Sequence, residues 1–449
     1  MNLLDDLRAA LGGSAVLEGE AMGAAPASDM SYTGRSLPRA LLRPRSTEEV
    51  SAALKLCHAA GVPVIAQGGM TGLAGGSNPS GNEIAISLAL LRGIEEVDSA
   101  SASMVVKAGT PLEECQRAAA EHGLFLALDL GSRGSCQVGG NLSTNAGGIR
   151  VIRYGMAREQ VLGIEAVLAD GTVVSSMNRM LKNNAGYDLK HLFIGSEGTL
   201  GVITRAVLRL HPPPGEITTT LCAVESYDQV VALLRRAQSS LGGIMAFEAM
   251  WEDYFGFNAE ALKLRLFARS HPFCVILEST KPAGTVETFL AAAVEEGLIA
   301  DALIARSLRE AREIWSVREG HPIETLPNLL NFDVSLPIGR IGDYAEACTA
   351  AIRKRWPDAH VSFYGHVGDS NVHICVSAPY APGEGMHEVD AIVYGVLGDY
   401  RGSISAEHGV GTLKRPYLRF SRSPNEIALM RLLKQALDPK GILNPGKVI

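Results

Sequence analysis

Four glycine-rich loops fall within the first 201 residues, and they limit what this chain can fold into more than any other feature. The first, Gln67-Gly68-Gly69-Met70-Thr71-Gly72-Leu73-Ala74-Gly75-Gly76-Ser77, lies between apolar runs at 62–66 and 84–91. Successive backbone N–H groups in such a loop can turn toward one anion and cradle a pyrophosphate without any side-chain charge. A flexible connector is the plain alternative, but connectors seldom sit tightly between two buried strands. The chemistry recurs at Gly131-Ser132-Arg133-Gly134-Ser135, at Gly139-Gly140-Asn141-Leu142-Ser143-Thr144-Asn145-Ala146-Gly147-Gly148 and at Gly195-Ser196-Glu197-Gly198-Thr199-Leu200-Gly201. Four such loops predict a long ligand contacted along its length, the shape of a dinucleotide. Neither G-x-G-x-x-G nor G-x-x-x-x-G-K-[ST] occurs, which disfavours folds that seat the phosphate on a helix N-terminus.

The composition reads as that of a soluble globular protein. With 449 residues, 47% hydrophobic and 20% charged, it can bury a sizeable core in about three domain-sized units. A net charge of −7 without long runs of one sign disfavours nucleic acid as a partner. No apolar stretch reaches the ~18 residues of a spanning helix, and the acidic start Asn2 to Asp6 is unlike a signal peptide, so we expect a cytoplasmic protein. The seven scattered cysteines, without a C-x-x-C pair, indicate neither disulfides nor a zinc ribbon.

Local signals give an α+β order. Ser46-Thr47-Glu48-Glu49 predicts a capping box opening a helix that Gly61 closes. Thr110-Pro111-Leu112-Glu113 predicts a second helix with Thr110 as cap and Pro111 as its first residue. Asp170-Gly171 predicts a hairpin turn within 163–174. His211-Pro212-Pro213-Pro214 is the strongest break, so we place a boundary there: 1–213, then 214–400, then a C-terminal segment 401–449. Strand-like runs at 217–224, 273–280, 332–336, 360–365 and 372–378 alternate with helical patterns at 229–240, 285–297, 308–318 and 344–355. They predict an antiparallel sheet with helices on one face. A last helix is expected from Ser423-Pro424-Asn425-Glu426 to about 437.

His366-Val367-Gly368-Asp369-Ser370-Asn371-Val372-His373 carries turn residues between two histidines, and a hairpin there would set His366 directly opposite His373. Glu407, in Ser405-Ala406-Glu407-His408-Gly409-Val410-Gly411, offers a carboxylate, and two His with one carboxylate make a metal site with open positions. Ordinary surface histidines on a hairpin tip are the alternative.

Taken together, the Pro44-Arg45-Ser46-Thr47-Glu48-Glu49-Val50 segment, the glycine loops at 68–76, 139–148 and 195–201 and Tyr154-Gly155 resemble FAD-linked oxidases with the p-cresol methylhydroxylase type of FAD domain. The resemblance implies a two-part FAD-binding domain, a substrate (cap) domain facing the flavin, and non-covalent FAD, since no His lies in the loops. The cofactor-binding residues it points to are Gly68, Gly69, Met70, Thr71, Gly72, Gly75, Gly76, Ser132, Gly139, Gly140, Asn141, Asn145, Gly148, Gly201, Ile203 and Asn444, the last in Leu443-Asn444-Pro445-Gly446-Lys447.

The histidine motifs resemble the branch acting on D-2-hydroxy acids: D-lactate dehydrogenases, the flavin subunit of glycolate oxidase and D-2-hydroxyglutarate dehydrogenases. That branch implies His366, His373 and Glu407 as ligands of a divalent metal, zinc, and His408 as both substrate contact and base. It also implies Arg318, in Trp315-Ser316-Val317-Arg318-Glu319, as the substrate-carboxylate ligand, against the plain reading of a solvated helix Arg. The chain departs from the 2-hydroxyglutarate pattern twice, with Asn331 where Lys is usual and Cys375 where Asn is usual. We therefore expect oxidation of a D-lactate-like acid, passing electrons to an unidentified acceptor. A homodimer, 2-hydroxyglutarate or glycolate as substrate, a metal-dependent hydrolase and a flavin-bearing scaffold subunit all stay open.

Overall fold

The computed structural model describes residues 2–380 and 384–449, without the side chain of 384, and divides into two compact units. The first comprises Met1–Gly148, Tyr154–Pro213 and Glu407–Ile449; the second comprises Ile149–Arg153 and Pro214–Ala406. The cut after Pro213 falls within the triple proline, where neither helix nor ladder can continue.

Two sheets build the first unit. β1 (Val16–Leu17), β2 (Ala40–Leu42), β3 (Val64–Gln67) and β4 (Ile84–Ser87) form one in the order β1-β2-β4-β3, with β2, β4 and β3 parallel. The helix Thr47–Ala60 makes the crossover from β2 to β3. Ser46 caps it by accepting the Glu49 N–H, and Gly61 closes it in the left-handed conformation. The Glu49 carboxylate reaches back to the Arg45 N–H at 2.6 Å instead of to Ser46, so the box closes one residue early. β5 (Ile94–Asp98), β6 (Ser103–Lys107), β7 (Val161–Val167), β8 (Val173–Ser176) and β9 (Val202–Arg209) form the second sheet, antiparallel throughout, in the order β5-β6-β9-β7-β8. The Asp170-Gly171 turn joins β7 to β8 as expected. The helix Leu112–Glu121 departs from its reading: Pro111 is its cap, while the Thr110 hydroxyl donates to the Lys107 carbonyl at 2.7 Å and supports the preceding turn. The C-terminal segment returns to this unit, where the Asn444 N–H donates to the Val64 carbonyl.

One seven-stranded antiparallel sheet builds the second unit. Its strands are β10 (Thr218–Val224), β11 (Ile244–Trp251), β12 (Phe273–Ser279), β13 (Asp301–Ile304), β14 (Leu329–Ser335), β15 (His360–Gly365) and β16 (Asn371–Ser377), in the order β13-β10-β12-β11-β15-β16-β14. The helices cover both faces, not one. Tyr227, on the helix Tyr227–Arg236, packs against Trp251 and Phe273, whereas Tyr254 of the helix Glu252–Ala261 stacks on Tyr364. Met250 and Tyr364 are register partners, so Trp251 and Tyr364 point to opposite sides of the sheet. A sheet buried on both faces needs a helical layer on each. No helix among the described residues is long and apolar enough to cross a membrane.

Candidate functional site

Three of the four glycine loops of the first unit converge on a cleft, to which the loop at 131–135 contributes no lining residue. Gly68, Gly72, Gly76, Gly139, Gly140, Gly201, Ile203 and Asn444 line it, together with Gln67, Leu88, Ser143, Thr144, Gly198, Val202 and His408. Gly69, Met70, Thr71, Gly75, Ser132, Asn141, Asn145 and Gly148 do not line it. Several of these brace the loops: the Asn145 side-chain oxygen Oδ1 accepts the Arg158 N–H at 2.9 Å, and Asn141 Nδ2 lies 3.5 Å from the Cys136 sulfur. Gly139 shows why glycine is needed here, since a Cβ would sit 2.7 Å from that of Ala108.

The cleft fits a long ligand carrying both anionic groups and hydrogen-bond donors. A Cβ on Gly140 would meet nothing within 4 Å, so the loop floor is open. Two buried oxygens beside the loops, Asp29 Oδ2 near Gly72 and Gln137 Oε1 near Gly68, accept no hydrogen bond among the described residues. Buried acceptors left this way call for a donor from a ligand, and the N–H and O–H groups of FAD supply such donors.

Glu197 organises the loop that carries His408. Its buried carboxylate accepts the Val410 and Gly411 N–H groups at 2.6 and 2.8 Å. A Cβ on Gly411, where φ is +51°, would sit 2.0 Å from the Ala74 carbonyl, so only glycine lets this loop close down. Burial pushes the Glu197 carboxyl above the ordinary range, against these N–H bonds and the charges of Lys414 and Lys447. Asn444 ties the layers together, accepting the Ala66 N–H at 2.9 Å and donating to the Glu197 carbonyl at 2.7 Å.

The second unit gathers its candidates on one face of the sheet. His373 is the register partner of Tyr364, not of His366. The connection spans 366–370 with a short turn, which lifts His366 out of the ladder. The two imidazoles nevertheless meet edge to face with centroids 5.4 Å apart. His366 is 5% exposed and Arg318 6%, which excludes both the surface-histidine and the solvated-arginine readings for these two.

Arg318 arrives from the helix Leu308–Glu319, whose last turn is held by the Tyr254 hydroxyl donating to the Arg318 carbonyl and by Asn258 donating to the Val317 carbonyl. Its guanidinium lies over the Tyr364 ring at 4.5 Å and donates through Nε to Glu248 Oε2 at 2.9 Å. The other carboxylate oxygen of Glu248 lies 2.5 Å from His366 Nδ1. Burial alone would raise the Glu248 carboxyl, but His366 and Arg318 reverse this and hold it below the ordinary range.

Asp333, opposite His373 in the β14–β16 register, accepts the Ala406 N–H at 3.1 Å. The residue before Glu407 is thereby fixed beside His373's partner. Asn331 and Cys375 pair across the same strands, with the thiol donating to Asn331 Oδ1 at 3.2 Å.

Sequence reasoning had passed over Glu248, Asp333 and Glu197 as site residues. Glu197 and Asp333 each carry a signal, an acid inside a glycine loop and an acid inside an apolar strand. Glu248, in Met245-Ala246-Phe247-Glu248-Ala249-Met250, carries the same signal in a strand that was not anticipated.

Comparison with known proteins places these sites in context. Residues 38–176 match a FAD binding domain, and 213–448 match the C-terminal domain of FAD linked oxidases. The mitochondrial D-2-hydroxyglutarate dehydrogenase of Bos taurus is 39% identical over 434 residues, covering 94% of this chain and 79% of that protein. Two solved structures share the fold: an alkyldihydroxyacetonephosphate synthase (TM-score 0.75, 18% identity, 99% of this chain and 84% of that one) and p-cresol methylhydroxylase (TM-score 0.72, 16% identity, 99% and 96%). The architecture is thus α+β, a FAD-binding domain of the p-cresol methylhydroxylase type with an antiparallel-sheet domain. A hydrolase would leave the glycine cleft without a role, and a flavin-bearing scaffold is at odds with relatives that are dehydrogenases; both readings give way to an oxidoreductase carrying FAD. The chain belongs to the FAD-linked oxidases.

Proposed function

We propose that this enzyme oxidises a D-2-hydroxy acid to the 2-oxo acid. The observation that carries the reading is Arg318: a buried guanidinium engaged through Nε, whose two Nη groups have no hydrogen-bond partner among the described residues. Such a fork suits a carboxylate, whose oxygens it meets in parallel. Bound in the glycine cleft, FAD supplies the two-electron acceptor. His408, which lines that cleft, takes the proton of the substrate hydroxyl as general base.

His366, His373 and Glu407 would hold a divalent ion, each offering one ligand atom. Two imidazoles and a carboxylate suit zinc, the metal the resemblance implies. Its chemistry there would be to orient the 2-hydroxy acid and lower the pKa of the hydroxyl.

Within the class, we place the preference at a short acid such as D-lactate. Glu248 already neutralises Arg318, and Asn331 and Cys375 bring no further positive charge to this face, so a distal carboxylate would be desolvated without a cation. The name of the bovine relative favours D-2-hydroxyglutarate instead. Anaerobic mixing of the purified protein with D- and L-2-hydroxy acids, followed by flavin absorbance, tests the class. Bleaching by D-enantiomers is expected, and a flavin band unmoved by every acid overturns it.

A further inference from the structure

We propose that Glu248 is the positioning residue of the second unit's site: it selects the nitrogen that His366 offers to a metal and the edge of guanidinium that Arg318 offers to a carboxylate. The inference rests on the metal and carboxylate roles proposed above and adds the residue that sets both. Glu248 comes from the interior of β11 and is 1% exposed, so water does not substitute for it. Its two oxygens divide between the partners, Oε1 to His366 Nδ1 at 2.5 Å and Oε2 to Arg318 Nε at 2.9 Å.

The chemistry of each contact is one-sided. An ionised carboxylate only accepts, so His366 carries a hydrogen on Nδ1 and the neutral ring keeps its lone pair on Nε2. A histidine ligand oriented by a carboxylate on its second nitrogen is the arrangement that fixes both tautomer and ring angle. On the arginine, occupation of Nε turns the Nη1–Nη2 edge away from Glu248, and the Tyr364 ring at 4.5 Å fixes the plane. One carboxylate therefore sets two directions at once.

Glu248→Gln separates this role from simple charge balance. The amide has one acceptor and one donor end. If its oxygen stays on Arg318 Nε, its NH2 faces His366 Nδ1, which then has to accept, and the hydrogen moves to Nε2. If the amide flips, its NH2 opposes the Arg318 N–H.

The test uses the FAD-loaded protein, with zinc affinity measured by chelator competition, KM and kcat measured separately, and 15N shifts recorded on histidine-labelled protein with His366 assigned by His366→Gln. Glu248→Gln is expected to weaken zinc by roughly 10- to 100-fold and raise KM, with the flavin spectrum unchanged. Glu248→Asp, which keeps the charge, should recover part of both. Wild-type zinc affinity in Glu248→Gln overturns the proposal. A wild-type protein with no measurable zinc affinity defeats the metal reading instead. In that case, or if the Gln variant does not fold, the 15N signature of the wild type decides: Nδ1–H on His366 supports the proposal and Nε2–H overturns it.

Discussion

The cleft of the first unit and the sheet face of the second are built by opposite means. The cleft is built from backbone: its loops are glycine, its floor is open, and its few charged side chains, such as Glu197, serve to hold another loop in place. The sheet face is built from side chains, with a carboxylate, a guanidinium and an imidazole removed from water and linked through Glu248. The difference teaches where each region is fragile. A backbone site is damaged by adding atoms, because a Cβ fills the space that a ligand or a neighbouring loop needs. A buried charge network is damaged by removing them, because each loss strands a charge in a low-dielectric interior.

His408 is the exception that sharpens the contrast, a reactive side chain in the backbone-built cleft. His408→Asn keeps a polar group of similar reach but removes the base. We expect kcat to fall roughly 10²- to 10⁴-fold while FAD content stays normal, as read by turnover with an artificial acceptor and by flavin absorbance. Retention of a tenth of wild-type kcat would remove His408 from the base role.

Next in size is Arg318→Leu, which leaves Glu248 facing His366 alone. Breaking a buried pair from one side costs about 3–5 kcal/mol, and we expect the lower end because His366 still faces one Glu248 oxygen. Urea unfolding of the FAD-loaded protein measures it, and a loss under about 1 kcal/mol, the range of exposed pairs, would mean that this network behaves like a surface salt bridge.

The matching change in the cleft is Gly139→Val, where the first added atom already lies 2.7 Å from the Ala108 Cβ and 3.2 Å from the Ala108 carbonyl oxygen. Overpacking of this kind costs about 1–3 kcal/mol, and here the strain falls on a loop that lines the cleft. FAD affinity by reconstitution should drop more than thermal stability does. Equal losses in both would show that this loop is structural and would weaken the contrast.

The two regions also differed in how far they could be read from sequence. Glycine clusters survive as a written pattern because the backbone requirement is met only by that residue, so the cleft was legible down to Gly68, Gly72, Gly139 and Gly201. Strands were legible where turns or alternation framed them. β11 was not, since all but its last residue are buried and no polar alternation marks the strand. Its Glu248 was lost with it, because an acid in an apolar run reads as a surface residue until its partners, 70 and 118 positions away, are seen. The His366 and His373 motif was legible as chemistry but not as geometry: the residue count of the turn, not the presence of turn residues, decides which partner faces which.

The smallest expected effect concerns Asn331, at the edge of the side-chain site. Its Oδ1 accepts from Cys375, and burial pushes that thiol up to about 12, so the pair is neutral at physiological pH. An amide bonds a carboxylate more weakly than an ammonium does. The pair therefore supplies no counter-charge for the far end of a dicarboxylic acid, whereas Asn331 is exposed enough to host a longer side chain without breaking the core. Asn331→Lys should shift the ratio of kcat/KM for D-2-hydroxyglutarate over D-lactate upward by about tenfold, or ~1.4 kcal/mol, with FAD and metal content unchanged. If the wild type already favours the dicarboxylate by that factor and the lysine adds nothing, another cation serves the distal carboxylate and the size argument built on Asn331 falls, while the contrast between the backbone cleft and the charged sheet face stands on the three larger effects.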